Sequence, residues 1–140
     1  MEAILSRTFT TERLALLRQF IRFGTVGAVG FVFDTGTVYA LKGWAGLYVA
    51  GAVAYFVAAT VNWALNRVWT FRGQGSGPAH RQWALFLVAN GLGFVFNRGT
   101  YFLLITVSAL CVAYPVLAIF AGMMVGMLLN FHLSRTVVFR

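Results

Sequence analysis

Acidic residues, cysteine and proline are scarce in this chain, and each scarcity excludes a class of protein. The 140 residues include 3 acidic side chains against 11 lysines and arginines, one cysteine and two prolines. The lone Cys111 cannot form an internal disulfide, and His80 and His132 have no partners at metal-ligand spacing. Without a nucleophile, base or metal constellation, the sequence favours a protein that is not an enzyme and needs no cofactor.

Hydrophobic residues, in contrast, make up 60% of the chain, with a mean hydropathy of +0.80. A soluble domain of this size has too small a core to bury so much apolar surface. Four continuous apolar stretches are long enough to span a bilayer as helices: 23–41, 44–65, 83–107 and 110–133. The sequence therefore predicts one all-α integral membrane domain over residues 1–140.

The placement of the basic residues predicts the orientation of these spans. Arginines precede the first span, lie between the second and third, and close the chain, whereas only Lys42 lies on the opposite side. The positive-inside rule then places both termini in the cytoplasm. The segment after Thr10 either forms an interfacial helix or extends the first span, and it does not resemble a cleavable signal peptide. With no soluble basic domain, nucleic acid is not an expected partner.

The chain also repeats itself. Residues 18–20 and 30–37 recur 63 positions later, and residues 62–72 recur 68 positions later, so five extra positions fall in the connection of the second half. Two parallel two-helix repeats result, about 18–72 and 81–140, joined by a glycine-rich linker at 73–80. They are expected to be related by a pseudo-twofold axis along the membrane normal, with a substrate site at their interface.

Small residues recur every four positions in the second helix of each repeat, as Ala50-Ala54-Ala58 and Ala118-Gly122-Gly126. Such rows allow close helix packing in lipid, within the monomer or between copies of a homo-oligomer. The rows continue into polar residues, and these are Asn62, Asn66, Asn130 and Ser134. A polar residue at this depth either holds a partner helix or binds a polar ligand.

Charged residues beside and within the spans suggest an anion site. Arg67 and Arg135 follow the amides by about one turn, where they either mark the membrane boundary or grip a phosphate through their planar forks. Asp34 and Arg98 lie inside spans, and the repeat aligns Asp34 with Asn97. We expect Asp34 to face Arg98, either as a fixed ion pair or as a switch that a substrate phosphate releases.

These residues resemble the GtrA-like family over nearly the whole chain, roughly 18–140. The resemblance lies in the Asp-bearing first helix, the stretch Asn66-Arg67-Val68-Trp69-Thr70-Phe71 and the duplicated four-span plan. The second copy of that stretch lacks the tryptophan. The family resemblance implies a multi-pass protein of the bacterial inner membrane that flips polyprenyl-phosphate-linked sugars, which glycosyltransferases use outside.

The sequence and the resemblance together favour a flippase of a lipid-linked sugar phosphate, driven by the substrate gradient or coupled to an ion. Its candidate substrate-binding residues are Asn62, Asn66, Arg67, Asn130, Ser134, Arg135, Asp34, Asn97 and Arg98. One alternative is a membrane scaffold that recruits a glycosyltransferase. Another is a small-multidrug-type exporter that uses Asp34 as its carboxylate, which the neighbouring Arg98 disfavours because it repels cations.

Overall fold

The computed structural model describes the backbone of residues 2–75 and 77–140. Within these ranges it describes all side chains except those of residues 2–9, 42, 47, 48, 51, 98, 101, 115, 116 and 119. The described residues are mainly helical, and none of them forms a strand. The chain divides into two compact units, Met1–Gln74 and Gly75–Arg140, and the boundary falls within the glycine-rich linker. Gly73, Gly75 and Gly77 have φ values of 77°, 88° and 107°, which side chains with a Cβ rarely adopt.

Unit 1 (Met1–Gln74) contains helix α1, Glu2–Leu65, which is broken at Gly46. Gly46 has φ 77° and ψ 164°, outside the helical region, so the segments 2–45 and 47–65 are separate helical rods. Phe71 contacts Phe23, and Asn62 lies beside Gly30, so the two rods pack antiparallel. The break falls at Gly46, although the second span was predicted to begin at residue 44, because only glycine tolerates this conformation.

The first rod continues without interruption from Glu2, so the segment after Thr10 extends the first predicted span. Among the described residues, Thr10–Leu41 is one helix long and apolar enough to cross a membrane. The number of spans beyond it stays a prediction from the hydropathy of the sequence.

Unit 2 (Gly75–Arg140) contains helix α2, Ala79–Val107, helix α3, Ala109–Ala113, and helix α4, Pro115–Leu133. The span predicted at 110–133 is therefore interrupted at Tyr114, because a residue before proline avoids the helical region and proline favours the first helical position. The five-residue α3 lies in the connection that is longer in this half. Helix α4 packs against α2.

Small side chains and phenylalanines occupy the interior of each unit. Ala50, Ala54 and Phe71 are fully buried in unit 1, as are Ala118 and, nearly so, Phe139 in unit 2. Large apolar side chains point outward instead, and Phe31 and Trp44 are 70% and 78% exposed. An apolar exterior of this extent suits a lipid environment and would aggregate in water.

Candidate functional site

In unit 2 we call α2 the first rod and α4 the second rod, by analogy with the two rods of unit 1. The same backbone irregularity ends the second rod of each unit. A π-helical turn follows directly on the α-helix, at Asn66–Thr70 in unit 1 and at Ser134–Val138 in unit 2. The Phe71 amide donates to the Asn66 carbonyl and the Phe139 amide to the Ser134 carbonyl, both at 2.8 Å. π-Helical turns are rare and are frequent at functional sites, and these two coincide with the recurring Asn-Arg and Ser-Arg pairs.

An aromatic pair fixes each π-turn against the first rod of its unit. The buried Phe71 ring meets Phe23 edge to face with centroids 6.3 Å apart, and the Phe139 ring meets Phe86 at 6.2 Å. Aromatic pairs of this geometry contribute about 0.5–1.5 kcal/mol beyond the area they bury. The end of each second rod is therefore held in place by packing, which positions the polar residues before it.

Those polar residues form what we call the polar column of each unit: Asn62, Asn66 and Thr70 in unit 1, and, separately, Asn130 and Ser134 in unit 2. Asn66, Thr70 and Ser134 are only 1%, 4% and 1% exposed. One side-chain oxygen of each of the five residues is buried without a hydrogen-bond partner among the described residues. An unsatisfied polar group in a protein interior costs about 1–3 kcal/mol, so this arrangement calls for a functional explanation.

Two glycines on the first rods lie directly beneath the column. The Asn62 amide lies against Gly30 and the Asn130 amide against Gly93, so closely that a Cβ at either glycine would lie 2.5 Å from the amide nitrogen. A Cβ at either glycine would require the asparagine amide to move. The pairs occupy equivalent positions in the two repeats, which makes the buried amide a property of both halves.

The small-residue row of α4 forms a close contact with α2. A Cβ on Gly122 would lie 2.5 Å from the Asn97 carbonyl oxygen, and one on Gly126 would lie 2.9 Å from the Gly93 carbonyl oxygen. The predicted packing row therefore lies inside unit 2. Asn97, a predicted substrate-binding residue, lies in this helix contact, four residues from Gly93 and the amide above it.

The arginines of the two units differ in their surroundings. The half-buried Arg67 guanidinium lies over the Trp63 ring at 5.8 Å, whereas Arg135 is exposed. Arg22 lies over the Trp69 ring at 5.6 Å and its Nη1 donates to the Trp69 carbonyl at 3.4 Å. An arginine over an aromatic face is attracted to it and its planar group is oriented by it.

The structure describes fewer contacts for Asp34 and Arg98, which were also predicted to belong to the site. Asp34 is half-buried on α1, and the Arg98 side chain lies outside the described residues, so their pairing stays a prediction. Among the side chains that the structure describes, no three His, Cys, Asp or Glu residues come together as metal ligands would.

Comparison with known families places this arrangement in context. The model of the family described as "GtrA/DPMS, transmembrane domain" matches residues 22–139, which include both π-turns and the whole polar column. The chain belongs to the GtrA/DPMS transmembrane-domain family. It is thus a membrane protein, and the resemblance to GtrA-like proteins expected from its sequence is confirmed. No curated protein has a significant match to the chain.

Membership of the GtrA/DPMS family ties the chain to membrane proteins that handle polyprenyl-phosphate-linked sugars. Sequence reasoning identified four of the five polar-column residues but missed three features of the site: Thr70 as the last member of the column, the π-turns, and the glycines beneath the amides. Gly30 and Gly93 begin the recurring segments 30–34 and 93–97. Both the glycines and the asparagines recur between the repeats, and this joint recurrence was the sequence signal that could have predicted their contact.

Proposed function

We propose that this GtrA/DPMS-family protein is a flippase that moves a polyprenyl-phosphate-linked sugar across the bacterial inner membrane. The observation that carries the proposal is the polar column of each unit, whose buried oxygens, five in total, have no hydrogen-bond partner among the described residues. Four of the five lie at positions that the repeat aligns, Asn62 with Asn130 and Asn66 with Ser134. All five are hydrogen-bond acceptors, and the hydroxyl groups of a sugar are donors. A sugar entering hydrocarbon needs such partners, because unsatisfied polar groups there cost several kcal/mol each.

Each unit also supplies an arginine one position after a column residue, Arg67 after Asn66 and Arg135 after Ser134. Guanidinium groups bind phosphate oxygens in pairs. In each unit the arginine can therefore bind the phosphate of the headgroup, while the neighbouring acceptor oxygen binds the sugar. The Trp63 ring beneath Arg67 favours one orientation of its fork. Arg67 is therefore the stronger candidate for the phosphate contact.

The column oxygens are covered in this conformation, so a headgroup reaches them only when the rods of a unit part at this end. A covered acceptor set that is exposed by opening is the behaviour of an alternating-access site. The isoprenoid chain stays in lipid, where the outward phenylalanines and leucines match it. With so little volume enclosed by a few helices, we further propose a homo-oligomer, with the termini in the cytoplasm as the arginines indicate.

Transport into liposomes that contain only this protein tests the function. A fluorescent polyprenyl-phosphate sugar is placed in one leaflet, and its arrival in the other is followed by chemical quenching. We expect faster movement than in protein-free liposomes, with no other component added. If the purified, folded protein gives only the protein-free rate, the scaffold for a glycosyltransferase becomes the better explanation.

A further inference from the structure

Unit 2 holds a surface pocket that the proposed flippase function does not use. It has a volume of roughly 380 Å³ and lies between the linker, the start of α2 and the second π-turn. Its lining combines cationic, amide and apolar groups, namely Arg81, Gln82, Leu85, Val137, Val138 and Arg140, together with Gly77 and Pro78. Binding pockets for small molecules begin at about 300 Å³.

Two side chains that line this pocket align with a contacting pair in unit 1. The repeat aligns Leu85 with Arg22, and Val137 with Trp69. In unit 1 the Arg22 guanidinium lies over the Trp69 ring and reaches the Trp69 carbonyl. In unit 2 the smaller Leu85 and Val137 replace this pair, and both line the open pocket.

The linker passes close to this pocket at Gly75, which has a positive φ angle. Gly75 has φ 88°, and a Cβ on it would lie 2.6 Å from Gln82 Nε2 and 3.2 Å from the Phe139 Cα. The linker therefore approaches the floor of the pocket at a position where other residues do not fit.

We propose that this pocket binds the phosphate of an anionic phospholipid in the leaflet that meets the basic end of the unit. Arg81 and Arg140 are both exposed and supply two guanidinium groups, whose forks match phosphate oxygens. Basic pockets beside membrane helices are typical sites for anionic headgroups.

An apolar path for the acyl chains begins at the same pocket. Leu85, Val88 and Leu92 follow one another along one face of α2 and are 37%, 65% and 46% exposed. A phospholipid whose phosphate sits at Arg81 can lay its chains along this face into the hydrocarbon. The pocket thus places the two arginines next to an apolar helix face. A phospholipid needs both features, whereas a free anion needs only the arginines.

The test measures binding of phosphatidylglycerol to the full-length protein in mixed micelles, with phosphatidylcholine as the neutral comparison. We expect Arg81→Gln and Arg140→Gln to weaken phosphatidylglycerol binding by about tenfold or more each, since each removes a charge-assisted hydrogen bond. The matched control is Arg72→Gln, which removes an exposed arginine at the position that the repeat aligns with Arg140. It should retain nearly wild-type binding.

A double substitution separates a pocket from general attraction to a basic surface. Leu85→Arg with Val137→Trp copies the filled arrangement of unit 1 into unit 2 and adds a positive charge. We expect it to lose binding in spite of that charge, while its thermal unfolding without lipid shows that it is folded. If the double substitution does not fold, the arginine variants and Arg72→Gln decide the matter alone.

Four results would overturn the proposal. Three of them are wild-type affinity in the filled variant, an equal loss in Arg72→Gln, and binding of phosphatidylcholine as tight as that of phosphatidylglycerol. Displacement of the lipid by millimolar inorganic phosphate would instead assign the pocket to a soluble phosphate ester and refute the lipid as its occupant. None of these outcomes depends on transport, so the test is independent of the proposed flippase function.

Discussion

Replacing Gly122 with alanine adds one methyl group where α4 meets the backbone of α2. The new Cβ would lie 2.5 Å from the Asn97 carbonyl oxygen, whereas ordinary contact begins at 3.4 Å. Because the obstacle is backbone, no rotamer change relieves it, and the helices must separate locally by about 0.9 Å. A gap of 0.5–1 Å forfeits a quarter to a half of the dispersion energy of each affected contact, and overpacking of this kind costs about 1–3 kcal/mol.

Gly99→Ala on α2 is the matched control, because a Cβ there meets nothing within 4 Å. It should be neutral or stabilising by up to about 1 kcal/mol, since alanine is the better helix former. Reversible unfolding in mixed micelles, followed by tryptophan fluorescence, gives both free energies of unfolding. If Gly122→Ala is as stable as Gly99→Ala, the close contact between α2 and α4 does not exist as described.

Three further predictions follow from the site. Gly93→Ala should destabilise the protein by about 1–3 kcal/mol, and the added change Asn130→Ala should recover most of that loss. The free energies of unfolding of the single and double variants measure both effects, and additive effects would argue against the contact. Arg67→Lys should slow transport about tenfold or more by losing the paired phosphate contact, whereas Arg72→Gln should not. Equal transport rates in the wild type and both variants would leave Arg67 as a marker of topology. A reporter that is active only outside the cytoplasm should be silent when fused after Arg140, and strong activity would reverse the orientation.

The helical fold was predictable because lipid imposes simple rules, whereas the plan of four spans stays a prediction. Continuous apolar runs predicted helices, and the internal repeat predicted where the halves correspond. The break predicted between residues 41 and 44 falls at Gly46, and unit 2 has, besides the predicted interruption at Ser108, a further one at Tyr114. Hydropathy responds to composition and not to the backbone preferences of glycine or of a residue before proline.

Four of the five polar-column residues were predictable from the sequence, but their geometry was not. Asn62 and Asn130 stood out as polar groups in apolar helices, yet their contacts with Gly30 and Gly93 depend on how the rods pack. The π-turns cannot be inferred from periodicity, because one extra residue in a turn leaves no hydrophobic signal. The unequal surroundings of Arg67 and Arg135 follow from Trp63, whose repeat counterpart is Phe131.

The central claim is that the polar column binds the sugar headgroup, and the double variant Asn62→Ala with Asn130→Ala tests it most directly. Both changes delete buried oxygens that have no hydrogen-bond partner among the described residues, so folding should be retained. Since each unit then loses one neutral hydrogen bond to a sugar, worth about 0.5–1.5 kcal/mol, substrate binding should fall roughly two- to twelvefold, and transport should fall with it. The control Thr106→Ala removes an exposed hydroxyl that donates only to the Phe102 carbonyl of its own helix, at 2.7 Å. Wild-type binding and transport in the folded double variant would contradict the account.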